Sequence, residues 1–305
     1  MENLKKENFD EIGCLLSDLV FDAGNYKVHP NSHFSKNIAL SEKHVNSDGF
    51  LYPPLVNKYR IDSKTKKTKK IPNSERPANI HRVISTHLIQ RKDGTDLSPN
   101  FRLNEGALIL RILGVLYETS TQFWDWWWVG RIHLDKDEFK WINKPAISEL
   151  FIQAFNEWEK WDSSVKIVFL NCCFNFSRSL TYEWDYERFT FLYICIDAIW
   201  WISENQYGIK NIGGHGNRIN TILEHFHLHT NKGIVKDIVD IRHNLFHQGL
   251  WGLENPMSGL NNKEYQNMRY LHEIVKRCIL RIIGIKSPFI QSNWENFKGW
   301  RVWDR

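Results

Sequence analysis

No Cys-x-x-Cys pair occurs anywhere in the chain, and its five cysteines, Cys14, Cys172, Cys173, Cys195 and Cys278, are an odd number. A disulfide scaffold and a thiolate zinc site are therefore not expected, and the composition suits a reducing compartment. The opening residues, Met-Glu-Asn-Leu-Lys-Lys-Glu-Asn, lack the apolar core of a signal peptide. Long hydrophobic runs are missing too. The greasiest stretch, Phe189 to Ile202, is interrupted by Asp197 and is too short to span a bilayer. A soluble, cytoplasmic protein without a membrane contact is expected. No internal repeat and no low-complexity linker divides the chain.

Aromatic side chains are abundant instead, with 14 Trp, 18 Phe and 10 Tyr in 305 residues, enough to furnish a large core. The formal charge of +5 is concentrated: Lys58 to Arg76 alone carries a net +6 and leaves the rest of the chain near neutral. Within that run Lys64, Lys66, Lys67, Lys69 and Lys70 are candidate phosphate contacts, and a solubilising surface loop is the alternative.

The periodicity is mostly helical. A short helix is expected around Glu11 to Phe21, and strand-like stretches at Leu55 to Asp62 and Arg82 to Gln90 flank the lysine run as a small hairpin or irregular cap. Asn104 to Thr119 is apolar nearly all round, which marks a buried helix, and leads into the aromatic cluster Phe123-Trp124-Asp125-Trp126-Trp127-Trp128. That cluster is read as a packed anchor, with base stacking as the alternative. Pro145 suits the first turn of a helix, and Asp162 suits the N-cap of another from Ser163 to Phe176. Four more helices are expected near Trp184 to Glu204, Gly216 to His229, Gly233 to Gln248 and Asn262 to Ile283, the last ended by Gly284. Short links between them suit an antiparallel bundle. The expected organisation is a mixed or irregular region over 1–100, a helical region over 101–180, a four-helix bundle over 181–285, and a Trp-rich tail over 286–305.

The stretch Asp237 to Trp251 singles itself out. Its apolar positions Ile238, Val239, Ile241, Leu245 and Phe246 follow a helical stripe, Gly249 is placed to stop it, and Arg242 and His247 stand near its end. Arg followed by His five residues later also occurs at Arg76 with His81 and at Arg82 with His87, but outside a clear amphipathic helix. On a regular α-helix, side chains five apart point about 140° away from each other. Arg242 and His247 converge only if the arginine reaches across, the helix unwinds near Gly249, or a second copy supplies the opposite wall. The last route favours a dimer.

The segment Arg242-His243-Asn244-Leu245-Phe246-His247-Gln248-Gly249 resembles the signature of the HEPN superfamily, in which an Arg and a polar follower precede a His. With its helical pattern, the resemblance covers Tyr182 to Gly284 and is strongest to bacterial toxin and anti-phage members. It implies a metal-independent endoribonuclease with no cofactor, working as a homodimer whose motif helices form a composite site. RNA and a regulatory or antitoxin protein are the implied partners. An imidazole titrating near neutrality suits proton transfer at His247, and a permanently charged guanidinium suits the phosphate at Arg242. His243 and Asn244 are candidate supporting residues. Asp197, read as a buried carboxylate needing a partner, is a candidate orienting group. Arg218, beside Gly213 and Gly214, is a further candidate RNA contact. The competing reading is a HEPN-like module that binds a nucleotide, nucleic acid or protein without cutting. Three histidines at alternate positions, His225, His227 and His229, would share a face on a strand, but the surrounding pattern is helical and separates them, so no metal site is expected.

Overall fold

The computed structural model describes residues 8–13, 15, 17–43, 45–47, 49–51, 59–62, 64–70, 84–124, 131–133, 144–182, 184–210, 213–251, 262–287 and 290. The expected anchor at 125–128 and the Trp-rich tail beyond 290 lie outside them. The protein is mainly helical with a small antiparallel sheet at its N-terminal end.

The strand expected at Arg82 to Gln90 forms at Ser85–Arg91, but within a five-stranded sheet rather than a small hairpin or irregular cap. Strands β1 (Phe9–Gly13), β2 (Phe21–Ala23), β3 (Tyr26–Pro30), β7 (Ser85–Arg91) and β8 (Gln122–Phe123) run in the order β2-β3-β7-β1-β8. The helix expected around Glu11 to Phe21 is therefore two strands and a link. A buried face of Ile12, Tyr26, Val28 and Ile89 does what a helical stripe would otherwise have done. Exposed Lys27 stands between Tyr26 and Val28, and partly exposed Leu88 and Gln90 flank Ile89, the period of two that a one-sided sheet requires. Gly24 makes the tight turn between β2 and β3 at φ 58°, and a Cβ there would press on the Phe155 ring at 3.2 Å. Asp10 on β1 receives two 2.6 Å hydrogen bonds from Arg102, a fork that ties the sheet to the short turn Phe101–Leu103. Two smaller pairs complete the strands among the described residues: β4 (Phe50–Leu51) with β9 (Ile132–His133), and β5 (Tyr59–Ile61) with β6 (Thr68–Lys70). Helix α1 (Phe34–Glu42) lies against β7.

The helices follow the sequence pattern closely. In α2 (Glu105–Leu116) every residue from Gly106 to Leu116 except Arg111 is buried, as its all-round hydrophobicity requires. Helix α3 (Lys144–Trp158) packs on β2, with Phe151 stacked on Phe21 at 5.1 Å between ring centres. Asp162 caps α4 (Ser163–Ser179) by accepting a 2.8 Å hydrogen bond from the Val165 amide. Helix α5 (Asp185–Tyr207) packs along α4 and is closed by Gly208 at φ 66°. It also contacts α6 (His215–His225) and α8 (Asn262–Ile282), while α7 (Lys232–His243) joins α6 to α8. A single cluster of buried apolar side chains runs from Ile12 to Ile290 through sheet and helices alike.

Helix α8 buries more than the single face an amphipathic bundle helix presents to a core, because Leu271 through Leu280 are all buried. Its polar side faces protein as well. Lys276 lies 2.7 Å from Glu118 and 2.6 Å from Glu273, while Arg277 reaches Glu273 at 3.4 Å. Burial acts to raise the Glu273 carboxyl, but the Lys276 ammonium and His272 outweigh it and hold it below the usual carboxylate range. Lys276 is shifted up, burial being overcome by Glu118 and Glu273.

Candidate active site

Asn231 starts α7 by accepting the Gly233 amide at 2.8 Å, and Val235, Ile238 and Ile241 bury its inner face. After His243 the backbone widens into one π-helical turn, Asn244–Gln248, in which the Gly249 amide donates back to both the Asn244 and Leu245 carbonyls and the Leu250 amide donates to the Asn244 carbonyl at 3.1 Å. Gly249, at φ 68°, then ends the helix. A hydrogen-bonded loop one residue longer than in the α-helix turns the chain less per residue, so residues five apart become neighbours. Beyond it Trp251 is buried against Phe189, with ring centres 5.5 Å apart, which fixes the exit of the turn.

This local unwinding brings the two motif residues together. Arg242 Nη1 donates to Nε2 of His247 at 3.0 Å. A guanidinium has no acceptor, so this contact is a hydrogen bond in the tautomer that leaves the Nε2 lone pair free. Of the three routes open to the pair, the chain takes the unwinding near Gly249, so one chain brings Arg242 and His247 together.

The pair is accessible. His247 and His243 are both exposed, with their rings 4.8 Å apart, and Asn244 is half-buried. The Arg242 guanidinium sits 5.3 Å from the centre of the Phe246 ring and 5.8 Å from that of Tyr193. Both rings offer their electron-rich systems to the cation. Phe246 remains 45% exposed, although the stripe would have placed it in the core.

Tyr193, from α5, forms the floor. It is buried, its ring stands 5.7 Å from His215, and its hydroxyl has no hydrogen-bond partner among the described residues. One turn further along α5 stands Asp197, which is exposed, contrary to the expected buried carboxylate. It lies on the solvent side of α5 because Cys195, Ile196 and Ile199 take the inward positions. Partial desolvation raises its carboxyl, against the pull of His215, Arg242 and Arg218. Desolvation also lowers the His215 imidazole, with Arg242 acting in the same direction. Neither His215 nor Tyr193 was singled out from the sequence. Both sit in helices identifiable from their periodicity, but only the packing of α5 against α6 brings them beside Arg242.

The remaining candidates divide. Arg218 joins the site from α6, its guanidinium 5.7 Å from the Trp200 ring centre and its charge acting on Asp197, Tyr193 and His215. The side chains of Lys64, Lys66 and Lys67 are exposed on the β5–β6 hairpin, which makes no extensive contact with α5, α6 or α7. Lys69 and Lys70 belong to β6, and their side chains lie outside the described residues. Arg76, His81 and Arg82 also lie outside them, while His87 is buried in β7.

Helix α6 ends at His225 rather than His229, and His227 takes a positive φ of 54°. His225 packs against Tyr207 at 4.8 Å. Among the described residues the one grouping with three metal-type ligands is Glu118, His272 and Glu273. Lys276 bridges both of its carboxylates, so an ammonium already provides the cation there. Among the described residues, no helix is long and apolar enough to cross a membrane. Comparisons with family models, curated proteins and solved structures gave no match to this chain.

Proposed function

We propose that the protein is a metal-independent endoribonuclease of HEPN type. The observation that carries this reading is the 3.0 Å contact between Arg242 and a solvent-facing His247. RNA holds its own nucleophile, so cutting requires a base for the 2′-hydroxyl proton, a cation for the phosphorane charge and a proton for the leaving oxygen. Arg242 moves its hydrogen bonds from His247 to the non-bridging phosphate oxygens, which frees the Nε2 lone pair. The imidazole accepts the 2′-hydroxyl proton as the 2′-oxygen bonds to phosphorus. The P–O5′ bond then breaks, and the imidazolium returns the proton to the 5′-oxygen. The products are a 2′,3′-cyclic phosphate and a 5′-hydroxyl.

His243 is a second imidazole within reach of the same strand, Asn244 a phosphate or imidazole contact, and Asp197 a carboxylate acting on Arg242 through space. The proposal extends to a four-helix HEPN-like bundle of α5 to α8, to two copies of α7 facing each other in a homodimer, and to a toxin or anti-phage role under a regulatory partner. Incubation with end-labelled RNA tests the core of it. The wild type should cut with or without chelator, and Arg242→Ala and His247→Ala should each cut at least 100-fold more slowly, the typical scale of proton-transfer and oxyanion contributions. Undiminished cutting by both variants refutes the assignment. One observation favours a module that binds RNA without cutting: Arg242 occupies the lone pair the base needs. Tight association with intact RNA would decide for that reading.

A further inference from the structure

Helix α6 begins at His215, directly after Gly213 and Gly214, both at positive φ and with open space where a Cβ would stand. Its first turn faces Tyr193 of α5. Around this junction three buried donors have no acceptor among the described residues: Arg218 Nε, Arg242 Nε and the Tyr193 hydroxyl. Tyr193 is 2% exposed, so its hydroxyl has no ready exchange with bulk water. Buried donors left without acceptors are costly, and native proteins keep few of them.

The charge is also unbalanced. Two guanidiniums, Arg218 and Arg242, act on this junction against the single carboxylate Asp197, which forms no hydrogen bond or ion pair with either among the described residues. Donors in excess, a surplus positive charge and the start of an eleven-residue helix all favour a bound anion with several oxygens. Arg242 serves the scissile phosphate in the reading above. Arg218, on a different helix and with its guanidinium 5.7 Å from the Trp200 ring centre, remains without a role in it.

We propose that Arg218, the Tyr193 hydroxyl and the first turn of α6 form a second phosphate subsite, which holds a phosphate adjacent to the scissile one in the same RNA strand. This rests on the ribonuclease reading for the identity of the strand, and it adds a substrate requirement. A dinucleoside monophosphate fills only the Arg242 position. An oligonucleotide with one more phosphate fills both.

Binding of uncleavable ligands tests the subsite without depending on turnover. The probes are a dinucleotide carrying a 2′-deoxy sugar at the scissile position, and the same dinucleotide extended by one phosphate at its 5′ or its 3′ end. In the wild-type protein the extra phosphate at one of the two ends should tighten binding by about tenfold or more, the worth of a charged hydrogen bond. Arg218→Gln should abolish that gain while keeping the wild-type melting temperature, and Arg242→Gln should weaken both ligands while keeping the gain. Tyr193→Phe, which retains the ring, should reduce the gain severalfold and serves in place of Arg218→Gln should that variant not fold. No gain at either end, or the same gain in Arg218→Gln and Tyr193→Phe as in the wild type, overturns the subsite. A full gain in a protein that never cuts ribose-containing RNA removes the nuclease reading and leaves the subsite standing. Cutting without the gain does the reverse.

Discussion

Lys276→Met should destabilise the protein by about 3–5 kcal/mol, the cost of removing one partner from a buried ion pair. The Lys276 side chain is 5% exposed and holds Glu118 at 2.7 Å and Glu273 at 2.6 Å, both carboxylates themselves largely out of water. Methionine matches the length of the stem but leaves Glu118 without that ammonium, while Glu273 keeps Arg277 at 3.4 Å. At about 2 °C per kcal/mol for a chain of this size the melting temperature should fall by about 6–10 °C. Thermal and urea unfolding of the variant beside the wild type measure it. Adding Glu118→Gln should restore a large part of the loss, because a neutral amide asks for no counter-charge. A Lys276→Met protein within about 1 kcal/mol of the wild type, outside the range expected for an orphaned buried charge, would refute the reasoning. The pH dependence follows from the same cluster. Glu273 is depressed in the folded state, so its contribution is present above the unfolded carboxylate range near 4.5 and is lost as pH falls through the lower folded value. Lys276 is raised, so its contribution is present below about 10.5 and is lost as pH climbs beyond it.

His87, fully buried in β7, is lowered from 6.5 to about 4 by burial first and by the His29 charge second. The unfolded chain then binds the extra proton first, so stability is full above pH 6.5 and should fall by about 3 kcal/mol between 6.5 and 4; urea melts of His87→Gln should show a flatter profile there, and an unchanged one would contradict this. Asp162→Ala removes the cap on Val165 and should cost about 1 kcal/mol in the same assay. Gly249→Ala forces a side chain into φ 68° with no compensating contact, and should cost about 1–2 kcal/mol. Its RNA cutting should fall further than its stability if the π turn is what seats His247. Cutting at the wild-type rate in a destabilised Gly249→Ala would show that the turn does not matter to the site.

The sequence by itself determined the helices from α2 onward, because a helix reports its buried face at a local period and its ends through caps that lie within one turn. Pro145 falls in the first turn of α3, Asp162 caps α4, and Gly249 and Gly284 end their helices at positive φ. It also located the Arg242 and His247 motif. Strands β1 to β3 were read as a helix or irregular chain because β1 pairs with β7 more than seventy residues away, and a five-residue strand carries little pattern of its own. Only the tertiary structure decided that the charged side of α8 is buried, since Glu118 is supplied by a segment far away in the chain. The same holds for the site. A π turn is a choice between hydrogen-bonding partners one residue apart, settled by where Trp251 docks on Phe189, and Tyr193, His215 and Arg218 become its neighbours only because α5 and α6 pack side by side.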